Sequence, residues 1–173
     1  CAAGDYTLLV KAGSHGDPVN PYHLVIGTSG IGELELFAEE DTFIGEGDGT
    51  PHGASLDLFV GQNEFGQEQR ALLRFDLNDL PCIDTIHSAY QQLNLSQAGS
   101  LGLLDLELMG VNGSWDEATL TWPFAPEMVG PGSPTRVGNE LAGFYYWDAT
   151  DLVQGWLDAG YGSGSLAVRS LEQ

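Results

Sequence analysis

The side chains in this sequence best suited to a chemical task are aromatics, carboxylates and two cysteines. Tyr145, Tyr146, Trp147 and Tyr161 are the residue types that stack on sugar rings, each with a flat apolar face and a polar edge. In a strand, alternation turns one of Tyr145 and Tyr146 inward and the other outward. Tyr146 and Tyr161 are therefore the candidate glycan-facing aromatics, weighed against the plainer reading that such rings fill the core or shield an edge. Carboxylates gather at Glu39, Glu40, Asp41, Glu46 and Asp48, oxygen donors of the kind that a hard cation such as calcium takes. They lack the D-x-D-x-D-G loop spacing, and the solvated surface of an acidic protein presents the same clusters, so no metal ligand set follows. Constellations for catalysis are absent from the sequence. It has no G-x-S-x-G elbow, no H-E-x-x-H pair and no phosphate-cradling loop, and His15, His23, His52 and His87 stand far apart. Acidic pairs are too abundant to single out a glycosidase couple, and the expectation is a protein that is not an enzyme.

Charge narrows the partners. The 173 residues hold 25 acidic side chains against 5 Lys plus Arg, a formal net charge of -20, which repels nucleic-acid phosphates and anionic lipid headgroups. No apolar run approaches the ~20 residues that span a bilayer as a helix. What remains is cations, neutral or basic glycans, or further copies of the same chain in a medium whose salt screens the repulsion. The chain opens on Cys1 and not on Met, which reads as a removed leader and an exported, extracellular or cell-surface protein. There a disulfide between Cys1 and Cys82 would persist. Two sequons, Asn94-Leu95-Ser96 and Asn112-Gly113-Ser114, would accept N-glycans in a host that adds them.

These candidates need a frame, and the periodicity supplies strands. At 42% hydrophobic and 10% aromatic residues the chain can bury a core of one domain. Short apolar alternations bounded by Gly, Pro, Asn and Asp predict an all-β, jelly-roll-like antiparallel sandwich. Strands are predicted in YTLLVKA, HLVIG, GELELFAEEDTFI, SLDLFVG, RALLRFDL, SAYQQLNLS, LLDLELMGV, GFYYWDAT and SLAVRS. One short helix is predicted from Thr150 to Gly160, with Leu152, Val153, Trp156 and Leu157 on one face, Thr150 as N-cap and Gly160 as the stop. The breaker-rich stretches Gly45 to Gly53 and Pro126 to Gly138 read as surface loops. In LLRFDL, alternation sets Leu73, Phe75 and Leu77 against Leu72, Arg74 and Asp76, with Arg74 expected in a structural ion pair. The organisation is a strand arm at 1–13, a linker at 14–22 stiffened by Pro18 and Pro21, and a sandwich domain at 23–173.

Four stretches carry a family resemblance: RALLRFDLNDLP (Arg70 to Pro81), IHSAYQQLNL (Ile86 to Leu95), WDEATLTW (Trp115 to Trp122) and WDATDLVQGWLDAGYGSGSLAV (Trp147 to Val168). In this order and at about this spacing they resemble the DNRLRE family of secreted β-sandwich modules, from about Glu33 to Ser170. The resemblance implies a surface or matrix module of carbohydrate-binding or adhesive type, with Trp115 and Trp122 as packing residues. Related jelly-roll modules also carry a structural calcium.

The segment before residue 33 lies outside the resemblance. There Tyr6, Leu8 and Val10 alternate with Thr7, Leu9 and Lys11. Such a strand either pairs within its own sandwich or enters the open edge of the next copy as a donor strand. The second arrangement is head-to-tail and does not close, so it builds a fibre. A Cys1 to Cys82 bond would lock that polymer between subunits, or staple the arm internally. In a third reading Cys1 is the lipidated first residue of a bacterial-type lipoprotein, which leaves Cys82 a free thiol. The leading expectation is a structural subunit of an extracellular filament, a homopolymer joined by donor-strand exchange. The alternative is a carbohydrate-binding or adhesive cell-surface module whose partner is a polysaccharide.

Overall fold

A computed structural model describes residues 5–13, 21–29, 32–78, 80, 85–95, 104–137 and 143–171, with side chains described from Glu35 onward. Strands β1 (Asp5–Gly13) and β2 (Pro21–Ser29) pair as an antiparallel hairpin, with Leu8 opposite Ile26 and Val10 opposite Leu24. The hairpin lodges between β3 (Gly32–Gly45) and β6 (Thr85–Leu95), and β1 runs parallel to both. The first strand is thus paired inside its own chain. Strand β2 starts at Pro21, within the last two residues given to the expected linker.

At 14 residues β3 is long enough to serve two sheets. Its first half lies against the hairpin; past an irregularity between Ala38 and Glu40 its second half pairs with β5 (Glu68–Asp76). The first sheet runs β3-β1-β2-β6-β9, with β9 at Gly143–Asp148, and the second runs β8-β7-β10-β5-β3. In the second, β7 is Leu104–Asn112, β8 is Glu127–Val137, β10 is Ser163–Ser170, and the two-residue β4 (Gly61–Gln62) adds to β5. Apart from the bridges that β1 makes to β3 and β6, the described pairings are antiparallel. The expected all-β sandwich is the fold observed.

Alternation explains the core. Leu73 and Phe75 of β5 with Leu77 just beyond it, Leu106 and Leu108 of β7, and Leu166 and Val168 of β10 meet Ala89 of β6 and Trp147 of β9 between the sheets. Each large side chain buried here contributes roughly 1.5–3 kcal/mol. The helix α1 (Thr150–Asp158) closes this core with Val153 and Trp156, and Gly160 follows it at φ +67. Thr150 is not the N-cap. That position falls on Ala149, because the Thr150 hydroxyl oxygen accepts the Ala89 N–H at 2.8 Å and so ties the helix to β6.

The opposite face of the second sheet carries a smaller core. Ile44, Leu72, Val111 and Ala167 are covered there by Trp115 and Leu120, with Trp122, Ala125 and Met128 against them. Leu72 and Leu73 therefore point to opposite sides, as their alternation predicts.

Two expectations fail in instructive ways. SLDLFVG is strand only from Gly61: the Ser55 hydroxyl donates to the Asp57 carbonyl at 2.8 Å, a local bond that competes with a ladder. The breaker-rich stretch from Pro126 is not a loop but β8. It sits at a sheet edge, where prolines are tolerated, and its register shift falls opposite Leu108 and Gly110.

Candidate functional site

The arginines of the second sheet pair with carboxylates, and two of them also meet the tryptophans that cover the smaller core. Arg74 projects from β5 onto the Glu40 carboxylate, has Glu39 at 4.0 Å, and donates from Nη1 to the Trp115 carbonyl at 2.5 Å. Its guanidinium lies 5.4 Å from the centre of the Trp115 ring. Arg70 forks onto Glu68 at 2.6 and 2.7 Å and lies 4.4 Å over Trp122. Arg169 donates to Glu107 at 2.6 Å, and Arg136 forks onto Asp105 at 2.6 and 2.7 Å. The hydrogen bond from Arg136 holds the Asp105 carboxyl below its usual range. Each of the four arginines is matched to a carboxylate of its own chain.

Burial raises the Glu40 carboxyl above its ordinary value, and the Arg74 charge opposes that rise. Along the edge of β3, Glu117 accepts the Asp41 N–H at 3.0 Å and gives its own N–H to Glu40 at 3.3 Å. Asp41 is 7% exposed, and desolvation, followed by the nearby Glu117 charge, pushes it up to about 6. The acidic cluster offered to a cation is thus parcelled out. Glu39 and Glu40 face Arg74, Asp41 is buried, and Glu46 accepts the Glu68 N–H at 3.3 Å. Asp48 accepts from Thr50 N–H and pairs with His52, both at 2.8 Å, and the His52 hydrogen bond lowers its carboxyl. Among the described residues, no group of three or more His, Cys, Asp or Glu is arranged to hold a metal ion.

The first sheet presents a different surface. In β9, Tyr145 and Trp147 turn to the core, while Phe144 and Tyr146 turn outward at 52% and 50% exposure. Backbone register places Asn94 of β6 opposite Phe144, Gln92 opposite Tyr146 and Tyr90 opposite Asp148. Tyr90, 38% exposed, is therefore the diagonal neighbour of Tyr146 across the ladder. Three aromatic side chains share this patch. Exposed apolar side chains clustered in this way mark contact surfaces. Phe37 of β3 is also exposed on the outer side of this sheet, but the hairpin separates it from β6.

The patch is built on fixed elements. Trp147 is 2% exposed and anchors β9 from inside. From outside the ladder, the Thr135 hydroxyl of β8 donates to the Tyr146 carbonyl at 2.7 Å and joins the edges of the two sheets. Below Tyr146, Gln92 is buried, and Asp148 at the end of the strand accepts both the N–H and the hydroxyl of Thr150.

Tyr161 lies elsewhere. It is 58% exposed just beyond α1, beside a recess of about 310 Å³ lined by Arg74, Asn112, Trp156 and Ser163 among others. The structure does not bring Tyr146 and Tyr161 together: one belongs to the first sheet's outer face, the other to the junction of α1 with β10. Asn112 is exposed at the end of β7, and Asn94 is half-buried in β6 beside the aromatic patch. Cys1, Cys82 and the side chains of Tyr6, Leu8 and Val10 lie outside the described residues. Sequence reasoning does not find Tyr90 and Phe144, because their neighbourhood depends on the β6–β9 register. The alternating FYYW run is the available signal for Phe144.

Comparison with curated proteins finds no match. A family model, carbohydrate-binding module family 96, matches residues 33–173, which leaves β1 and β2 outside the match and takes in both aromatic sites and the arginine-sealed sheet. With a match over most of its length, the chain belongs to carbohydrate-binding module family 96.

Proposed function

We propose that this protein is a non-catalytic carbohydrate-binding module, extracellular or at the cell surface, that lays a polysaccharide across Phe144, Tyr146 and Tyr90. The single observation that carries the reading is the pairing of half-exposed aromatics on β9 with Tyr90 across the ladder, on a strand pinned from both sides. Such rings offer apolar faces to sugar C–H groups while the Tyr hydroxyls hydrogen-bond. Because the strands are fixed before binding, little ordering entropy opposes the contact. Family membership supports the same reading.

Retention on polysaccharide tests it, by pull-down on insoluble polymer and by affinity electrophoresis in soluble polymer. Tyr146→Ala and Phe144→Ala should each weaken retention about tenfold or more, ~1.4 kcal/mol, and Tyr161→Ala should leave it unchanged. The opposite pattern would move the site to the recess beside Tyr161. Filament assembly by donor-strand exchange takes second place, because β1 is paired within its own chain to β2, β3 and β6.

A further inference from the structure

We infer that Asn112 is a self-modification site: in the folded chain the backbone nitrogen of Gly113 attacks its side-chain amide, and the residue is converted to aspartate and isoaspartate. The inference stands apart from the module reading. Asn112-Gly113 is the one asparagine-glycine pair in the sequence, and glycine has no Cβ to shield its nitrogen or to restrict the turn that brings it to the preceding side chain. Asn112 is the last residue of β7, and its pairing with Glu127 is the last of the β7–β8 ladder. Both Asn112 and Gly113 are exposed, and Gly113 turns at φ +96. A methyl group built on Gly113 would meet nothing within 4 Å. The Asn112 side chain is loosely held, since its bond from Nδ2 to a Glu127 carboxylate oxygen is 3.5 Å long.

Other asparagines are guarded. The Asn63 side-chain oxygen accepts the N–H groups of Phe65 and Gln67, both at 3.0 Å, and its Nδ2 donates to the Gln67 side chain at 2.9 Å. Asn78 donates to Asp76 at 2.8 Å and is followed by Asp79, and half-buried Asn94 is followed by Leu95. Asn139 precedes Glu140, and Asn20 precedes Pro21, which has no N–H to give up. Asp48-Gly49 could close the same ring, but the His52 hydrogen bond lowers its carboxyl, and both oxygens are engaged, by Thr50 and by His52. An ionised carboxylate is a poor electrophile.

The Gly113 nitrogen forms a bond to the Asn112 side-chain carbonyl carbon and closes a five-membered imide. The bond from that carbon to Nδ2 breaks, and ammonia leaves with the proton of the Gly113 N–H. Water then adds to either imide carbonyl, giving aspartate, or isoaspartate in which the main chain runs through the former side chain. Either product sets a carboxylate where Asn112 was a donor, in register with Glu127, and like charges directly opposite destabilise a ladder. Asn112 and Gly113 line the recess beside Tyr161, so the change falls there and at the start of β8, away from Tyr146 on the other sheet.

The whole chain, produced in a bacterial host so that the Asn112-Gly113-Ser114 sequon carries no glycan, is held folded at pH 8 and sampled by isoelectric focusing and peptide mapping. The expected result is an acidic band that grows with time, its new acid mapping to residue 112 in both aspartate and isoaspartate forms and lost in Asn112→Gln. Conversion should be about tenfold or more faster there than at any other asparagine, because only Gly leaves the attacking nitrogen unshielded. If residue 112 stays unchanged in the folded chain over the time in which the urea-unfolded chain converts it, the fold holds the two groups apart and the inference is wrong. Conversion spread evenly over the asparagines, or undiminished in Asn112→Gln, would equally overturn it.

Discussion

Replacing Asp41 with asparagine isolates the contribution of a carboxylate that the fold holds against its ionisation. Asp41 sits opposite Leu73 in the β3–β5 ladder, 7% exposed, with its own N–H bonded to Glu117. Burial first, and the Glu117 charge second, raise its carboxyl from 3.8 to about 6. At ~1.4 kcal/mol per pH unit, keeping Asp41 ionised in the folded chain costs up to about 3 kcal/mol. The direction follows from which state keeps the proton. Below pH 3.8 both states hold it, between 3.8 and about 6 the unfolded chain releases it first, and above about 6 both have lost it. The stability linked to the raised pKa is therefore complete at low pH and is lost as pH rises through the folded value. Asp41→Asn removes this dependence, because the amide stays neutral and does not repel Glu117. Urea unfolding, followed by tryptophan fluorescence at a series of pH values from 4 to 8, reads the difference. The variant should match the parent near pH 4 and exceed it by about 2–3 kcal/mol above pH 7. A difference that stays constant across this range, or a variant less stable at pH 7.5, would refute the assignment.

Arg74→Ala should destabilise by about 2–3 kcal/mol, since it leaves the Glu40 carboxylate without its countercharge and the Trp115 carbonyl without its guanidinium donor. The figure lies below that for a fully buried pair because both partners are 20% exposed; thermal or urea unfolding measures it. In Gly164→Ala the new Cβ would run into the Trp156 ring. The expected loss is ~1–3 kcal/mol by overpacking, accompanied by a changed near-UV circular dichroism spectrum. Neighbours on β9 should behave as opposites: Tyr146→Ala within ~0.5 kcal/mol of the parent in urea but poor in polysaccharide retention, Trp147→Ala destabilised by ~3–5 kcal/mol.

The fold was legible wherever a local pattern determined it. Leu72 and Leu73 are adjacent in sequence and belong to different cores, which period-two alternation predicts without knowledge of any partner strand. The stretch from Pro126 misled because composition reports breakers, whereas an edge strand tolerates them; edge position is a property of the sheet order. Thr150 misled for a related reason. Its hydroxyl suits a cap, but β6 supplies an N–H that claims it. Tyr146 could be nominated from the FYYW run, yet its neighbours could not. Tyr90 lies 56 positions earlier in the chain and comes alongside only through the β6–β9 register.

On the proposed function, stability and binding fall to different faces of the sandwich. On the second sheet, Arg70 and Arg74 lie over Trp122 and Trp115 while pairing with Glu68 and Glu40, so rings, guanidinium groups and carboxylates complete one another and leave little for a ligand. On the first, Phe144, Tyr146 and Tyr90 are exposed to between 38% and 52%, and the anchoring is done by Trp147, Thr135 and the buried Gln92 beneath. Rings that carry no packing load on one side can be changed without loosening the sandwich. Substitutions on the first sheet's outer face should therefore alter retention without moving the unfolding midpoint. Substitutions in the arginine–tryptophan seal should move the midpoint, and retention should fall only where the fold itself is lost.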